Sequence, residues 1–138
     1  MLILFFLFII DRVIKSLILS KNIYFESKFF KLELFQNSQL FFLNINHRML
    51  VLISLAVLSV IVAALINEKN NRIRIGLLLL AVGGISNLFD RLIYGYVIDY
   101  FWIFVFPFFY FNVADLMITF GLVFGFFEVI AKKQELLK

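Results

Sequence analysis

Ionisable residues inside apolar sequence are the first place to look for chemistry, because each costs at least a few kcal/mol to keep in a membrane-spanning helix. Here they cluster. Asp11 and Lys15 are four residues apart, about one helical turn, and form a structural pair on one helix. Asn87, Asp90 and Arg91 stand at i, i+3 and i+4, on one face of another helix. Asn112 and Asp115 repeat the i, i+3 spacing further on, and Asp99 lies between the two sets in an aromatic run. Arg91 neutralises its neighbour Asp90, which leaves Asp99 and Asp115 with no local cation. Two close carboxylates do not both ionise readily, so one pKa rises and the pair shares a proton. The ionised member can then take a proton from water while the neutral one donates to a peptide carbonyl oxygen. That is metal-free hydrolysis of the aspartic-protease kind. The same residues could equally serve a proton or cation pathway, and the spacing leaves both readings open.

Other hydrolytic chemistries lack parts. There is no Cys, so thiol nucleophiles and disulfides are excluded. The one histidine, His47, reads as a surface residue in the connector before an apolar stretch, which disfavours a Ser–His–Asp triad. A zinc site would want His or Cys ligands, and no metal or cofactor is expected. The formal net charge of +4 is too small and scattered for a nucleic-acid partner.

The elements that position these residues follow from composition. The chain has 138 residues, 64% of them hydrophobic, and a mean hydropathy of +1.03. Only 16% are charged, against roughly 25% in a soluble domain. A soluble globule and a disordered chain are both excluded. The reading is an α-helical membrane protein, a single integral-membrane domain over residues 1–138 with four transmembrane helices near residues 2–19, 49–66, 73–89 and 113–131. The first is not a cleavable signal peptide: it lacks a basic start and a small-residue cleavage site, and carries Asp11, Arg12 and Lys15 in its middle. Four spans put both termini on one side. The short connector with Lys69, Arg72 and Arg74, and the tail with Lys132, Lys133 and Lys138, make that side cytoplasmic. Asp90, Asp99 and Asp115 then share the outer boundary.

Two outer segments are unusual. Lys31-Leu32-Glu33-Leu34-Phe35 alternates polar and apolar, so residues 29–42 are expected to form a small sheet on the membrane surface. Residues 94–111 hold 11 aromatic residues and are expected to rest in the headgroup region as a short helix or loop, or to form a re-entrant span. Pro107 prevents one continuous helix there.

Three runs carry a resemblance. They are Asn87-Leu88-Phe89-Asp90-Arg91, then Gly95 through Val97-Ile98-Asp99, then Phe111-Asn112-Val113-Ala114-Asp115. In this order the chain resembles the lipoprotein signal peptidase (signal peptidase II) family of bacteria. Asp11 with Lys15 resembles that family's Asp-x-x-x-Lys on the first helix, and Asn37 and Phe42 resemble the ends of its Asn-x-Gly-x-Ala-Phe run. Gln39, Leu40 and Phe41 depart from that run, so Asn37 is the weaker correspondence for substrate binding. The resemblance implies four transmembrane helices with an extracytoplasmic β-cradle and a short extracytoplasmic helix. It implies an endopeptidase that removes the signal peptide from diacylglyceryl-modified prolipoproteins, cutting before the lipid-modified Cys, in the bacterial cytoplasmic membrane. Asp99 and Asp115 would be the catalytic dyad. Asn37, Asn87, Asp90, Arg91 and Asn112 would line the site and position substrate. The implied partners are prolipoproteins and membrane lipids, with the enzyme a monomer. The rival readings are a small proton- or cation-coupled transporter subunit and a non-catalytic scaffold.

Overall fold

The computed structural model describes residues 2–21, 23–38, 45–105 and 109–136, and the side chains among these to residue 134. The chain runs α1 (Leu2–Lys21), β1 (Phe25–Glu26), β2 (Phe30–Asn37), α2 (His47–Asn67), α3 (Asn71–Tyr94), β3 (Val97–Ile103), β4 (Tyr110–Phe111) and α4 (Val113–Leu136). Among the described residues, three helices, α2, α3 and α4, are long and apolar enough to cross a membrane. In the fourth, α1, apolar sequence is interrupted by Asp11, Arg12 and Lys15. Asp11 and Lys15 are fully buried, together with Ile18. The remaining faces of α1 expose large apolar side chains such as Phe5, Phe6 and Ile10. The polar stripe therefore faces protein, and the apolar surface faces outward, as suits a lipid solvent.

Helix ends follow local chemistry. Asn46 caps α2 by accepting from the Arg48 backbone N–H at 2.9 Å, and Asn70 caps α3 by accepting from Arg72 at 2.8 Å. Gly95 ends α3 with φ +85°, donating its N–H to the Arg91 carbonyl at 3.1 Å. A left-handed residue is strained for any side chain with a Cβ, so the glycine turns the chain sharply from α3 into β3.

The helix α3 is central and packs against α1, α2 and α4. Its approach to α4 is close at two glycines. A Cβ on Gly76 would sit 3.0 Å from the Gly121 carbonyl oxygen, and one on Gly83 would sit 2.5 Å from the Ala114 carbonyl oxygen. The absent side chains let α3 lie directly against α4, at its start beside Gly83 and further along beside Gly76.

The expected small sheet is present and larger than the alternation indicated. It is antiparallel, in the order β1-β2-β3-β4, with Phe35 opposite Asp99 and Asn37 opposite Val97. A bulge between Leu32 and Phe35 shifts the register. The aromatic segment corrects one expectation. Among its described residues, those beyond Gly95 form β3, a turn and β4 rather than a short helix or a re-entrant span. Val97-Ile98-Asp99-Tyr100-Phe101-Trp102-Ile103 is β-branched and aromatic almost throughout, a composition that favours strand. Pro107, like Gln39, Leu40, Phe41 and Phe42, lies outside the described residues.

Candidate active site

The site forms where β3, the end of α3 and the start of α4 meet. Asn112 immediately precedes α4, and its side-chain oxygen accepts from the Asp115 backbone N–H at 2.8 Å. Asp115 returns the contact, Oδ2 accepting from the Asn112 backbone N–H at 3.1 Å. This is the reciprocal geometry of a capping box, with Asn and Asp in place of Ser and Glu. It explains the i, i+3 spacing and holds a carboxylate at a helix N-terminus, where partial positive charge favours an anion.

The Asn112 amide nitrogen reaches the other carboxylate, donating to Asp99 Oδ1 at 2.7 Å. Asn112 thus bridges Asp99 and Asp115. The remaining oxygens are also matched with amides: Asn37 Nδ2 donates to Asp99 Oδ2 at 2.8 Å, and Asn87 Nδ2 donates to Asp115 Oδ1 at 2.7 Å. Three neutral amides hold two carboxylates, and among the described residues no ion pair reaches either. Asp99 is 1% exposed. Burial first, and the charge of Asp115 second, push its carboxyl up to about 7, against the pull of the Asn37 and Asn112 amides. A site in which one carboxyl is neutral near neutral pH can both take and give a proton.

The other charges are organised separately. Asp11 and Lys15 pair as expected, at 2.9 Å. Asp90 does not pair with Arg91, the partner its position in sequence suggested. It is fully buried against α1, where Arg12 reaches Oδ1 at 2.5 Å and Lys15 reaches Oδ2 at 2.8 Å. Oδ2 also accepts from the Ile98 backbone N–H at 3.2 Å. Residues at i and i+1 on a helix point apart, so Asp90 turns into the bundle while Arg91 is only half-buried on another face. Arg91 lines a cavity of about 300 Å³ with Asn87 and Asp115, walled by Ile53, Val57 and Ile61 of α2 and by Ile118 of α4. Of the expected site residues, Asn37, Asn87, Asn112, Asp99 and Asp115 form one hydrogen-bonded set, Arg91 shares the cavity, and Asp90 belongs to the α1 cluster.

Three residues without a clear signal in the sequence complete the frame. Ser86 donates to Asp11 Oδ2 at 2.6 Å. Tyr100 donates to Asp11 Oδ1 at 3.1 Å and accepts from the Val113 backbone N–H at 3.1 Å. Arg12 lies 4.5 Å from the centre of the Phe89 ring as well as on Asp90. Tyr100 follows Asp99, and Val113 follows Asn112, so this hydroxyl ties the two carboxylate-bearing elements together. His47 is exposed in the first turn of α2. Among the described residues, no three of His, Cys, Asp or Glu are grouped to hold a metal ion.

The sequence matches the family described as signal peptidase (SPase) II over residues 3–131. This chain belongs to the signal peptidase II family. A lipoprotein signal peptidase of Campylobacter jejuni subsp. doylei is 35% identical over 135 residues, covering 93% of this chain and 85% of that protein. A lipoprotein signal peptidase of Clostridium tetani is 31% identical over 129 residues, covering 83% and 81%. Two solved bacterial membrane enzymes share the fold, with TM-scores of 0.84 and 0.82 at 23% and 25% identity. The first alignment covers 97% of this chain and 88% of its counterpart, the second 93% and 90%. A signal peptidase II assignment accounts for the apolar helices and the polar cluster together, and nothing in these matches supports the transporter alternative.

Proposed function

We propose that this chain is an aspartic signal peptidase of the bacterial cytoplasmic membrane, acting on diacylglyceryl-modified prolipoproteins and cutting on the N-terminal side of the modified Cys. The observation that carries the reading is the pair Asp99 and Asp115 bridged by Asn112, supported on every oxygen by a neutral donor. We assign Asp115, at the N-terminus of α4, as the ionised member and Asp99 as the neutral one. Asp115 takes a proton as water adds to the scissile carbonyl carbon, and Asp99 gives its proton to the carbonyl oxygen. The tetrahedral diol then collapses. Asp115 passes its proton to the leaving nitrogen as the C–N bond breaks, and Asp99 regains one from a hydroxyl as the carbonyl re-forms. Both groups return to their starting states with no external proton donor.

The cavity beside Arg91 and Asp115 suits an extended apolar peptide segment, with Arg91, Asn87 and Asn37 positioning its backbone. In this reading α1 is a fourth span, because its charges are paired inside the bundle. The chain works as one domain and a monomer, with both termini cytoplasmic and the dyad at the extracytoplasmic face, where the sheet covers it. The test is incubation of purified protein with a diacylated prolipoprotein, following release of the signal peptide. Full activity is expected after exhaustive chelation. Absence of cleavage, or recovery of a chelated sample only on adding Mg²⁺ or Zn²⁺, would overturn the mechanism.

A further inference from the structure

Lys15 uses its three N–H donors on three acceptors: Asp11 at 2.9 Å, Asp90 at 2.8 Å and Asn87 Oδ1 at 3.0 Å. One carboxylate would neutralise it, and it already has two. The third contact leads out of the ion cluster and into the site. A side-chain amide is nearly symmetric in shape, and its direction is set by its partners. An ammonium can only donate, so Lys15 requires the oxygen of Asn87 to face it. Asn112 Nδ2 adds a second donor to that oxygen at 3.2 Å. The NH₂ of Asn87 then has one direction left, toward Asp115 Oδ1 at 2.7 Å. A flipped Asn87 would set NH₂ against the ammonium and a carbonyl oxygen against the carboxylate.

We infer that Lys15 is a positioning residue of the dyad: acting through Asn87, it fixes the amide orientation that supplies Asp115 with a hydrogen-bond donor. This rests on the proposed role of Asp115. It goes beyond the tethering that the Asp11–Lys15 pair provides. The pair can be removed together, since one charge of each sign is lost and Asp90 keeps Arg12.

The test compares Asp11→Asn, which retains Lys15, with Asp11→Asn/Lys15→Met in purified, folded protein. With a diacylated prolipoprotein, Lys15→Met in the Asp11→Asn background should lower kcat by about 10- to 100-fold and change KM by less than about threefold, because the loss lies in the reacting group. Adding Asn87→Ala to the double variant should lower kcat little further, since the two residues act as one unit. A direct spectroscopic reading does not depend on turnover. The Asn87 side-chain NH₂ resonance, assigned in ¹⁵N-Asn-labelled protein by its loss in Asn87→Ala, should move markedly when Lys15 becomes Met and stay near its parent position in Asp11→Asn. An unmoved resonance, or fully additive losses from Lys15→Met and Asn87→Ala, would overturn the proposal. A parent that shows no cleavage would fail the peptidase reading instead, with the resonance still deciding the Lys15 geometry.

Discussion

Replacing Asp99 by Asn should abolish turnover and, above neutral pH, make the protein more resistant to unfolding relative to its parent than it is in acid. Burial and Asp115 move the Asp99 carboxyl from an ordinary 3.8 to about 7. That rise corresponds to about 4 kcal/mol of preference for the neutral form. Between about pH 4 and 7 the folded protein holds a proton that the unfolded chain has released, so stability falls as pH rises through this window and levels off above it. Asn carries no charge at any pH, and the variant escapes this loss. It meets a separate penalty, because its NH₂ must face either Asn37 Nδ2 or Asn112 Nδ2, both donors to Asp99 in the parent. That mismatch costs about 1–3 kcal/mol and does not depend on pH. The stability of the variant relative to the parent should therefore swing by about 2–4 kcal/mol between pH 4 and pH 8, less than the full figure because the proton is shared with Asp115. Thermal unfolding in detergent at both pH values would show a relative shift in Tm of roughly 10 °C. Parallel pH dependence in parent and variant would refute a buried, proton-holding Asp99, whatever happened to activity.

The other expectations are more direct. Asp115→Asn should lower turnover by about 10²–10⁴-fold in a folded protein, and near-normal cleavage by it would remove Asp115 from the mechanism. Asp90→Asn leaves Arg12 and Lys15 each short of a partner and should cost about 3–5 kcal/mol, seen as a lower Tm and yield; normal stability with lost turnover would instead put Asp90 in the chemistry. Gly83→Ala forces a Cβ against the Ala114 carbonyl, so α3 and the start of α4 must part, lowering Tm by the equivalent of about 1–3 kcal/mol and turnover with it; an unchanged Tm would contradict the close packing. Reporters fused after Glu68 and Lys138 should be cytoplasmic and one near Lys28 extracytoplasmic, and the reverse pattern is incompatible with lipoprotein processing.

Local spacing made much of the site legible. The i, i+3 pair Asn112 and Asp115 is a capping box, a contact within one helical turn, and sequence distance is a good guide to such contacts. The same holds for Asp11 and Lys15. Sequence distance misled at Asp90, whose adjacent Arg91 points elsewhere while Arg12, far away in the chain, pairs with it. Arg12 read only as an interruption of an apolar stretch, because nothing local indicates which helix a charge will face. The strand β3 was hidden for a different reason. Val97, Ile98, Asp99 and Tyr100 are all buried, so here neither face of the strand is exposed and the period-two signal that revealed β2 is missing. Tyr100 in an aromatic run looks like an interfacial anchor, and only its contacts with Asp11 and Val113 show it as a tie between elements.

The arrangement of charge bears on why three asparagines surround the dyad. Asp11, Asp90, Lys15 and Arg12 sum to zero, and their contacts tie α1 to α3. Had Lys15 or Arg12 touched Asp99 or Asp115 directly, the cation would have favoured ionisation of both carboxyls, and no proton would remain to share. Neutral amides satisfy buried carboxylate oxygens without that effect, since they donate hydrogen bonds but bring no net charge. Asn87 marks the boundary, with Lys15 on its oxygen and Asp115 on its nitrogen. One amide of reach separates a saturated ion cluster, which can stabilise the fold, from a pair of carboxyls left short of positive charge, which can do acid–base chemistry.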